Sequence, residues 1–249
     1  MARMTTIDIL GVRFALLTPQ QAEALAEELC ERKEPAWIAV ENVHGVNIAW
    51  KHPSHRDVLN DADLVLNDGK GILLGARLLG ERFPADLNGN VFTPMVLGLA
   101  AARGWPVFFL GAAPGVAERA RSKLMQDLPG LEVVGTHHGF FGPDDLDRVI
   151  DKIRTTGARV LVVGMGNPLQ EKWLHDHVAD TGVALGVTAG AFLDFETGQV
   201  PRAPAWMNKI AFEWLFRLIV EPRRLWRRYL IGNPAFIYRV IRQRLSRRR

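Results

Sequence analysis

Short apolar runs alternate with longer helical patterns along most of the chain, and this alternation constrains the fold more than any other feature. Each run is rich in β-branched or aromatic residues and ends in glycine or a polar residue, which is typical of a buried parallel strand. The sequence therefore predicts an α/β fold, Rossmann-like, with an open, mostly parallel sheet and flanking helices. The predicted strands are 37–40, 64–66, 106–110, 131–134, 160–163 and 183–187, and the predicted helices are 19–32, 45–59, 69–79, 92–103, 116–128, 143–155 and 168–181.

The C-terminal part of the chain is strongly basic, whereas the rest of the chain is acidic. Residues 202–249 contain 13 Lys and Arg but only two acidic residues, and since the whole chain is +4, the first 201 residues sum to −7. Aromatic and aliphatic residues alternate with these arginines at helical spacing, without an apolar run near the length of about 18 residues that suggests a membrane span. We therefore divide the chain into an α/β domain, residues 1–201, and a basic amphipathic appendage, residues 202–249.

The appendage has three interpretations. Its arginines and apolar side chains suit attachment to an anionic membrane surface. Amphipathic helices of this kind also pack on their own domain, and basic, aromatic-rich segments bind single-stranded nucleic acid. Proline and glycine positions divide the appendage into three predicted helices, about 205–220, 223–231 and 235–248.

Cysteine content and the N-terminus indicate the compartment. The single Cys30 excludes a disulfide framework and a zinc cluster, which favours a reducing environment. The first 14 residues lack the apolar core and cleavage site of a secretory signal. We therefore expect the body of the protein to be cytoplasmic.

Two predicted strands end in glycine-rich turns that lead into helices. The first turn starts at Gly111, and the second spans Gly164-Met165-Gly166-Asn167-Pro168, before Gln170 and Glu171. Backbone N–H groups and a helix N-terminus attract phosphate, although a tight turn that needs small residues explains the glycines equally well. Neither turn has the G-x-G-x-x-G spacing, and the chain has no P-loop, so a nucleotide-sugar oxidoreductase is the weaker alternative.

Two aspartates follow other predicted strands. Asp68 lies in a glycine-flanked turn, where a carboxylate can act as a general base or simply form the turn. Asp194 follows the last predicted strand and can contact a ribose or base. Asp61-Ala62-Asp63 has the D-x-D pattern of metal-dependent sugar transfer, but it precedes a strand, and we interpret it as a helix-to-strand turn.

Taken in order, these segments resemble the bacterial WecG/TagA/CpsF glycosyltransferases, glycosyltransferase family 26. The similarity covers about residues 38–229. It rests on Asn67-Asp68-Gly69-Lys70-Gly71, Gly80-Glu81-Arg82, Asp86-Leu87, Phe109-Leu110-Gly111, Pro114-Gly115-Val116-Ala117-Glu118, Gly139-Phe140-Phe141, Gly164 to Trp173, Phe192-Leu193-Asp194, Arg202-Ala203-Pro204, Glu213 to Leu218 and Glu221 to Leu225.

The resemblance implies an inverting, metal-independent transferase that needs no cofactor. It would move a sugar from a UDP-sugar to a polyprenyl-diphosphate-linked saccharide at the inner face of the cell membrane, for wall, capsule or exopolysaccharide synthesis. The resemblance also implies that the protein does not bind nucleic acid, and it leaves open whether the protein forms a homo-oligomer. By this similarity Asp68 is the general base, and the substrate-binding residues are Asn42, Arg82, Gly111, Gly139, Phe140, Gln170, Asp194, Arg223, Arg224, Arg227 and Arg228. The arginines that reach the leaving diphosphate are among the last four, and which of them do so is left open.

The chain departs from the family pattern at two places. Val40-Glu41-Asn42 stands where the family usually has Thr-x-Asn, so Val40 cannot donate a hydrogen bond and Glu41 adds a charge. The segment Asp86-Leu87-Asn88-Gly89-Asn90 is also unusually polar. Both lie near the expected sugar pocket, so N-acetylmannosamine is not assumed to be the donor sugar.

Overall fold

A computed structural model of the protein describes residues 4–201, 207 and 213–247. A short hairpin, β1 (Thr6–Ile9) and β2 (Val12–Ala15), precedes the main sheet, whose strands are β3 (Ala36–Glu41), β4 (Leu64–Asn67), β5 (Val107–Gly111), β6 (Val133–His137), β7 (Val160–Gly164) and β8 (Leu185–Thr188). The helices of the body are α1 (Pro19–Glu31), α2 (Val43–Lys51), α3 (Pro53–Asp61), α4 (Lys70–Leu79), α5 (Gly89–Arg103), α6 (Val116–Asp127), α7 (Leu146–Thr155), α8 (Leu169–His177) and α9 (Phe192–Glu196).

The main sheet has the order β4-β3-β8-β7-β5-β6, and all its strand pairs are parallel. Each face is covered by apolar side chains from a different set of helices. Helices α1, α5, α6 and α9 pack on one face. Helices α2, α3, α4, α7 and α8, together with the hairpin, pack on the other. The predicted α/β fold with a parallel sheet is thus confirmed.

The helices after β5 and β7 leave the sheet on opposite faces. These strands are neighbours, but β5 leads to α6 on one face and β7 leads to α8 on the other. Their connecting loops therefore diverge and leave a crevice at the carboxyl edge, which is the usual ligand site of open α/β sheets.

In the α/β domain, one predicted helix was wrong and two elements were not predicted. The helix predicted over 45–59 is two helices, because Pro53 lacks an N–H and holds the preceding His52 in an extended conformation, with φ −125° and ψ 95°. The hairpin β1–β2 and the short helix α9 were not predicted, since each is only four or five residues long.

The appendage contains α10 (Glu213–Val220), α11 (Pro222–Trp226), a π-helix (Arg227–Gly232) and α12 (Asn233–Ser246). The break predicted at Gly232-Asn233-Pro234 is absent, because Gly232 and Asn233 keep helical dihedral angles. A π-turn widens the helix and accommodates Pro234, whose ring would crowd a regular helix. Positions 205, 206 and 208–212 of the first predicted helix lie outside the described residues, as do Arg202-Ala203-Pro204.

Helix α12 packs on the body. Phe236 and Val240 are fully buried in the core under α4, where Gly75 lacks the Cβ that would collide with the Phe236 ring. Burying two such side chains stabilises the docked helix by roughly 3–6 kcal/mol. Arg244 donates to the Leu78 carbonyl at 2.6 Å and Arg247 to that of Asp8 at 2.9 Å. Arg244 and Arg247, which we expected to meet lipid, therefore contact the body.

Candidate active site

The carboxyl edge of the sheet collects polar groups from several strands. Glu41 and Asn67 are paired in register at the ends of β3 and β4, and Gly111 and Gly164 at the ends of β5 and β7. Thr188 ends β8, between these two pairs. The sequence-predicted turns therefore share one edge, as expected for the ends of parallel strands.

Asn42 connects Asp68 to helix α2. Its Oδ1 accepts from the His44 and Gly45 amides as the N-cap of α2, at 3.0 and 3.4 Å. This orientation turns Nδ2 towards Asp68, and Nδ2 donates to Asp68 Oδ2 at 3.2 Å. Gly69 follows with a φ of 84°, and a Cβ there would meet no atom within 4 Å, so open space lies beside the Asp68 loop.

The electrostatic surroundings of Asp68 favour a proton acceptor of moderate strength. Burial raises the pKa of Asp68 above its usual value, whereas the Asn42 hydrogen bond and the positive charge of Arg228 act in the opposite direction. Asp86 raises the pKa further and Arg217 lowers it. A carboxylate with a raised pKa is a stronger base than an exposed one, which suits the expected role.

The polar segment at 86–90 belongs to this edge. Asp86 forms an ion pair with Lys70 at 3.0 Å, and Asn67 Nδ2 donates to the Ala85 carbonyl at 3.1 Å. Asn88 is the N-cap of α5 and accepts from the Asn90 amide at 3.1 Å. These contacts explain why the segment is polar.

Glu41 and Glu171 form a buried pair of carboxyl groups behind Asp68. Both side chains are inaccessible to solvent, and Asn167 Nδ2 donates to Oε1 of each, at 2.6 Å to Glu41 and 3.0 Å to Glu171. A Cβ on Gly45 would overlap Glu41 Oε2, so the glycine makes room for this acid. Burial, followed by the adjacent Glu171, raises the pKa of Glu41 well above its usual value. Burial and the neighbouring carboxyl therefore disfavour the charge expected at Glu41.

This pair predicts a pH-dependent stability that Glu41→Gln removes. A carboxyl with a raised pKa in the folded state binds its proton more tightly there, so its stabilising contribution is lost as pH rises above about 4.3 and through the folded pKa. We expect wild-type unfolding free energy to fall with rising pH, and Glu41→Gln to exceed it at pH 8 by about 1 kcal/mol or more. Urea titrations from pH 5 to 8 measure this, with exposed Glu23→Gln on α1 as control. Parallel pH profiles for wild type and Glu41→Gln would contradict it.

Gln170 joins two loops at the crevice. Its side chain is 2% exposed, and its Oε1 accepts from the Gly166 amide at 3.1 Å and the Gly190 amide at 3.2 Å. Its Nε2 donates to Glu171 at 2.6 Å. Gln170 therefore fixes the loops after β7 and β8, and its contact with substrate stays a prediction.

The turn after β5 is closely packed. Gly111 has a φ of 144°, and a Cβ there would overlap the backbone of Gly164. Gly139 lies against it, since a Cβ on Gly139 would stand 3.2 Å from the Gly111 Cα, and its amide donates to the Ala112 carbonyl at 2.9 Å. Phe140 is next and is 73% exposed. These glycines have a packing reason, and the substrate contacts of Gly111, Gly139 and Phe140 stay predictions.

Among the four predicted tail arginines, Arg228 is the one whose charge acts on the pKa of Asp68. It is partly buried in the π-helix, over the Tyr229 ring at 5.6 Å, and its charge acts on the pKa of both Asp68 and Glu41. It also acts on His44, where burial first and Arg228 second lower the pKa to about 4, so this imidazole is neutral at pH 7.

The other three predicted arginines are exposed. Arg224 pairs with Glu221 at 2.6 Å, and Arg227 stacks on the Trp226 ring at 5.2 Å. Burial raises the pKa of Asp194 and the positive charge of Arg224 opposes this, so Arg224 faces the Asp194 region. Arg223 has no comparable partner among the residues that the structure describes.

Arg82 and the D-x-D segment have different surroundings. Arg82 is exposed, and its substrate contact stays a prediction. Asp63 accepts from the Trp37 amide at 3.1 Å at the amino end of β4, opposite the carboxyl edge. Across residues 4–201 and 213–247, no three His, Cys, Asp or Glu side chains converge as metal ligands. The D-x-D segment is therefore the helix-to-strand turn that we expected.

The family is decided by comparison with known proteins. A family model described as "Glycosyl transferase WecG/TagA/CpsF family" matches residues 7–249. The chain belongs to this family. Two similar relatives are each named N-acetylglucosaminyldiphosphoundecaprenol N-acetyl-beta-D-mannosaminyltransferase. The Bacillus spizizenii (strain W23) protein is 30% identical over 214 residues, which is 85% of this chain and 81% of the relative. The Staphylococcus aureus (strain NCTC 8325) protein is 29% identical over 238 residues, or 94% and 91%.

The family membership confirms the resemblance, and the chain is a glycosyltransferase. An oxidoreductase and a nucleic-acid-binding protein, the two alternatives, are thereby set aside. The site also contains residues that we did not select from the sequence, namely Glu41, Asn67, Asn167, Glu171 and Arg217. Sequence reasoning missed Glu41 and Glu171 because it could not show that these acidic side chains are buried. An acidic residue is normally assigned to the surface until its neighbours in the fold are known.

Two open cavities lie beside the site of this glycosyltransferase. One, of about 580 Å³, is lined by Arg119, Lys123, Phe195, Glu196, Thr197 and Gly198. Arg217 covers the Phe195 ring of this cavity at 5.4 Å, and its positive charge also lowers the pKa of Asp68. The other is an apolar groove of about 610 Å³, lined by Trp214, Tyr229, Leu230, Asn233, Pro234, Ile237, Tyr238 and Ile241.

The groove belongs to a largely apolar surface of the appendage. Leu230, Tyr238 and Ile241 are 55%, 62% and 42% exposed, and the exposed Arg223, Arg227 and Arg242 lie on the same helices. In the part of the chain that the structure describes, no helix is both long and apolar enough to cross a bilayer. An apolar patch with basic neighbours is the usual composition of an interfacial binding surface.

Proposed function

We propose that the chain transfers a sugar from a UDP-sugar to a saccharide carried on polyprenyl diphosphate, with inversion and without a metal ion, in the synthesis of a wall, capsular or exocellular polysaccharide. The observation that carries the proposal is the juxtaposition of a basic carboxylate, Asp68, and a partly buried arginine, Arg228, at the carboxyl edge of the sheet. The relatives' names, which specify a diphosphoundecaprenol acceptor, support the lipid-linked substrate.

The chemistry follows from these two groups. Asp68 takes the proton of an acceptor hydroxyl as its oxygen attacks the anomeric carbon of the donor. The bond from that carbon to the diphosphate breaks on the opposite face, which inverts the configuration. The leaving UDP then carries the negative charge, and the fixed guanidinium of Arg228 stabilises it as it develops, with Arg217 as a second donor nearby.

A donor panel tests the proposed function. Purified protein is given UDP-sugars one at a time with a synthetic prenyl-diphosphate-linked saccharide, with and without EDTA. We expect UDP release that needs both substrates and survives EDTA, and a product whose anomeric configuration, read by NMR coupling, is inverted. Release abolished by EDTA and restored by Mg²⁺ or Mn²⁺ would contradict the metal-independent mechanism. A retained configuration would contradict the role of Asp68 as base.

We also propose that the apolar surface of the appendage attaches the enzyme to the inner face of the cell membrane. Its groove is lined in part by Tyr229, the residue next to Arg228, so a lipid chain in the groove brings its diphosphate towards the reaction centre. Each arginine near an anionic surface adds roughly 1 kcal/mol, and this attraction weakens with salt.

Exposed apolar residues of the groove allow a direct test of attachment. We expect Leu230→Ser combined with Ile241→Ser to lower partitioning onto anionic liposomes by about tenfold or more, because each apolar side chain contributes up to about 1.5–3 kcal/mol when buried. Flotation at matched salt measures this. Met125→Ser, at an exposed position on α6, is the control, since that helix covers the other face of the sheet. Equal losses in the control and the double variant would contradict the assignment.

A further inference from the structure

Helix α2 carries two asparagines with different partners. Asn42, at its N-cap, donates to Asp68. Asn47, one turn further along, is only 8% exposed, and both ends of its amide are occupied by the appendage. Its Nδ2 donates to the Gly232 carbonyl at 2.8 Å, and its Oδ1 accepts from Arg239 Nη1.

Gly232 is the last residue of the π-helix that carries Arg228. A π-helix has poorer backbone hydrogen-bond geometry than an α-helix and persists where its surroundings support it. The hydrogen bond from Asn47 gives one carbonyl of the π-helix, that of Gly232, a partner on the body. Helix α2 therefore makes two contacts about one turn apart. At its start, Asn42 contacts the proposed base, Asp68, and further along, Asn47 contacts the end of the π-helix that carries Arg228.

We propose that Asn47 is a positioning residue, which holds the π-helix against α2 so that Arg228 keeps its place near Asp68. This inference rests on the proposed function, in which Arg228 stabilises the leaving diphosphate. Asn47 itself touches no reacting group. It acts on the rate through the place of the Arg228 guanidinium, and a displacement of about 1 Å in such a group is enough to cost roughly 10²-fold in rate.

The docking of α12 does not depend on Asn47 alone. Phe236 and Val240 are buried under α4, and Arg244 bonds to the Leu78 carbonyl. Without the Asn47 side chain these contacts keep α12 on the body. The π-helix before it loses its support, so the expected defect is a local one at Arg228.

Asn47→Ala tests this with Asn60→Ala as a matched control. Asn60, on α3, makes a similar two-ended clamp, donating to the Gly11 carbonyl at 2.8 Å and accepting from the Arg13 amide at 3.0 Å. With soluble substrates we expect Asn47→Ala to lower kcat about 10- to 10²-fold, with the donor KM within about threefold of wild type. We expect Asn60→Ala to lower the melting temperature similarly but to keep kcat within about threefold. Comparable kcat losses in the two variants would overturn the inference.

A double-mutant cycle with Arg228→Ala identifies the route of the effect. If Asn47 acts through Arg228, Asn47→Ala changes kcat by less than about threefold once Arg228 is absent. Asn47→Asp should retain the Arg239 contact but lose the donor to Gly232, and its kcat should fall as in Asn47→Ala. A full additional loss in the Arg228→Ala background, or wild-type kcat in Asn47→Ala, would overturn the inference. Normal turnover by Arg228→Ala itself would instead contradict the proposed function.

Discussion

Asp68→Asn is expected to lower kcat by roughly 10²–10⁴-fold while the fold and the donor KM stay close to those of the wild type. The amide has the shape of the carboxylate and can still accept from Asn42 Nδ2, so the loop keeps its anchor. It cannot take a proton, and the acceptor hydroxyl then has no base. Initial-rate measurements with saturating donor and acceptor give kcat, and circular dichroism checks the fold.

The pH profile adds a second measurement for Asp68. Because burial raises its pKa, the acid limb of wild-type kcat/KM is expected above the ordinary range of an aspartate, with activity rising as pH rises through that pKa. The residual activity of Asp68→Asn should lack this limb. Asp57→Asn, at an exposed position on α3, is the control and should behave as wild type. Near-wild-type turnover by Asp68→Asn would sink the assignment of the base.

Arg228→Ala is expected to lower kcat on a soluble acceptor analogue by roughly 10²–10³-fold, the usual cost of removing one donor from a developing negative charge. Arg228 is the predicted arginine that is partly buried and acts electrostatically on Asp68. A soluble analogue removes membrane attachment from the measurement. The loss should therefore report the chemical step.

Exposed neighbours of Arg228 are matched controls. Arg223→Ala and Arg227→Ala remove equal charge from the same segment, and we expect them to keep kcat on the soluble analogue within about threefold. On liposome-bound acceptor they should lose activity that returns at lower salt, because their contribution is a screened surface attraction. If all four predicted arginines can be replaced without loss on the soluble analogue, the leaving-group role must lie in the α/β body.

The strands were predictable from the sequence because buried parallel strands consist of consecutive apolar residues, a local property. All six predicted strands exist, five of them within two residues of their observed ends, whereas β6 ends three residues later than predicted, at His137. The helix break at Pro53 is also a local property and was predictable from the proline. We predicted one continuous helix because the residues on both sides of Pro53 have helical spacing. The continuity at Gly232-Asn233-Pro234 is different, since a bond from Asn47 and the docking of α12 support a conformation that local propensity disfavours.

The sequence by itself determined the fold class, the family, the position of Asp68 after a buried strand and the basic character of the appendage. These properties depend on residue types and on near neighbours. Only the tertiary structure decided that Arg228 lies close enough to act on the pKa of Asp68, that Glu41 and Glu171 form a buried pair with raised pKa values, and that Asn47 bonds to the last residue of the π-helix. The reason is distance along the chain: Asn167 lies 126 residues from Glu41, and Gly232 lies 185 residues from Asn47. Strand order and the docking of the appendage bring such residues together, and the burial that results changes the pKa values of the carboxyl groups among them.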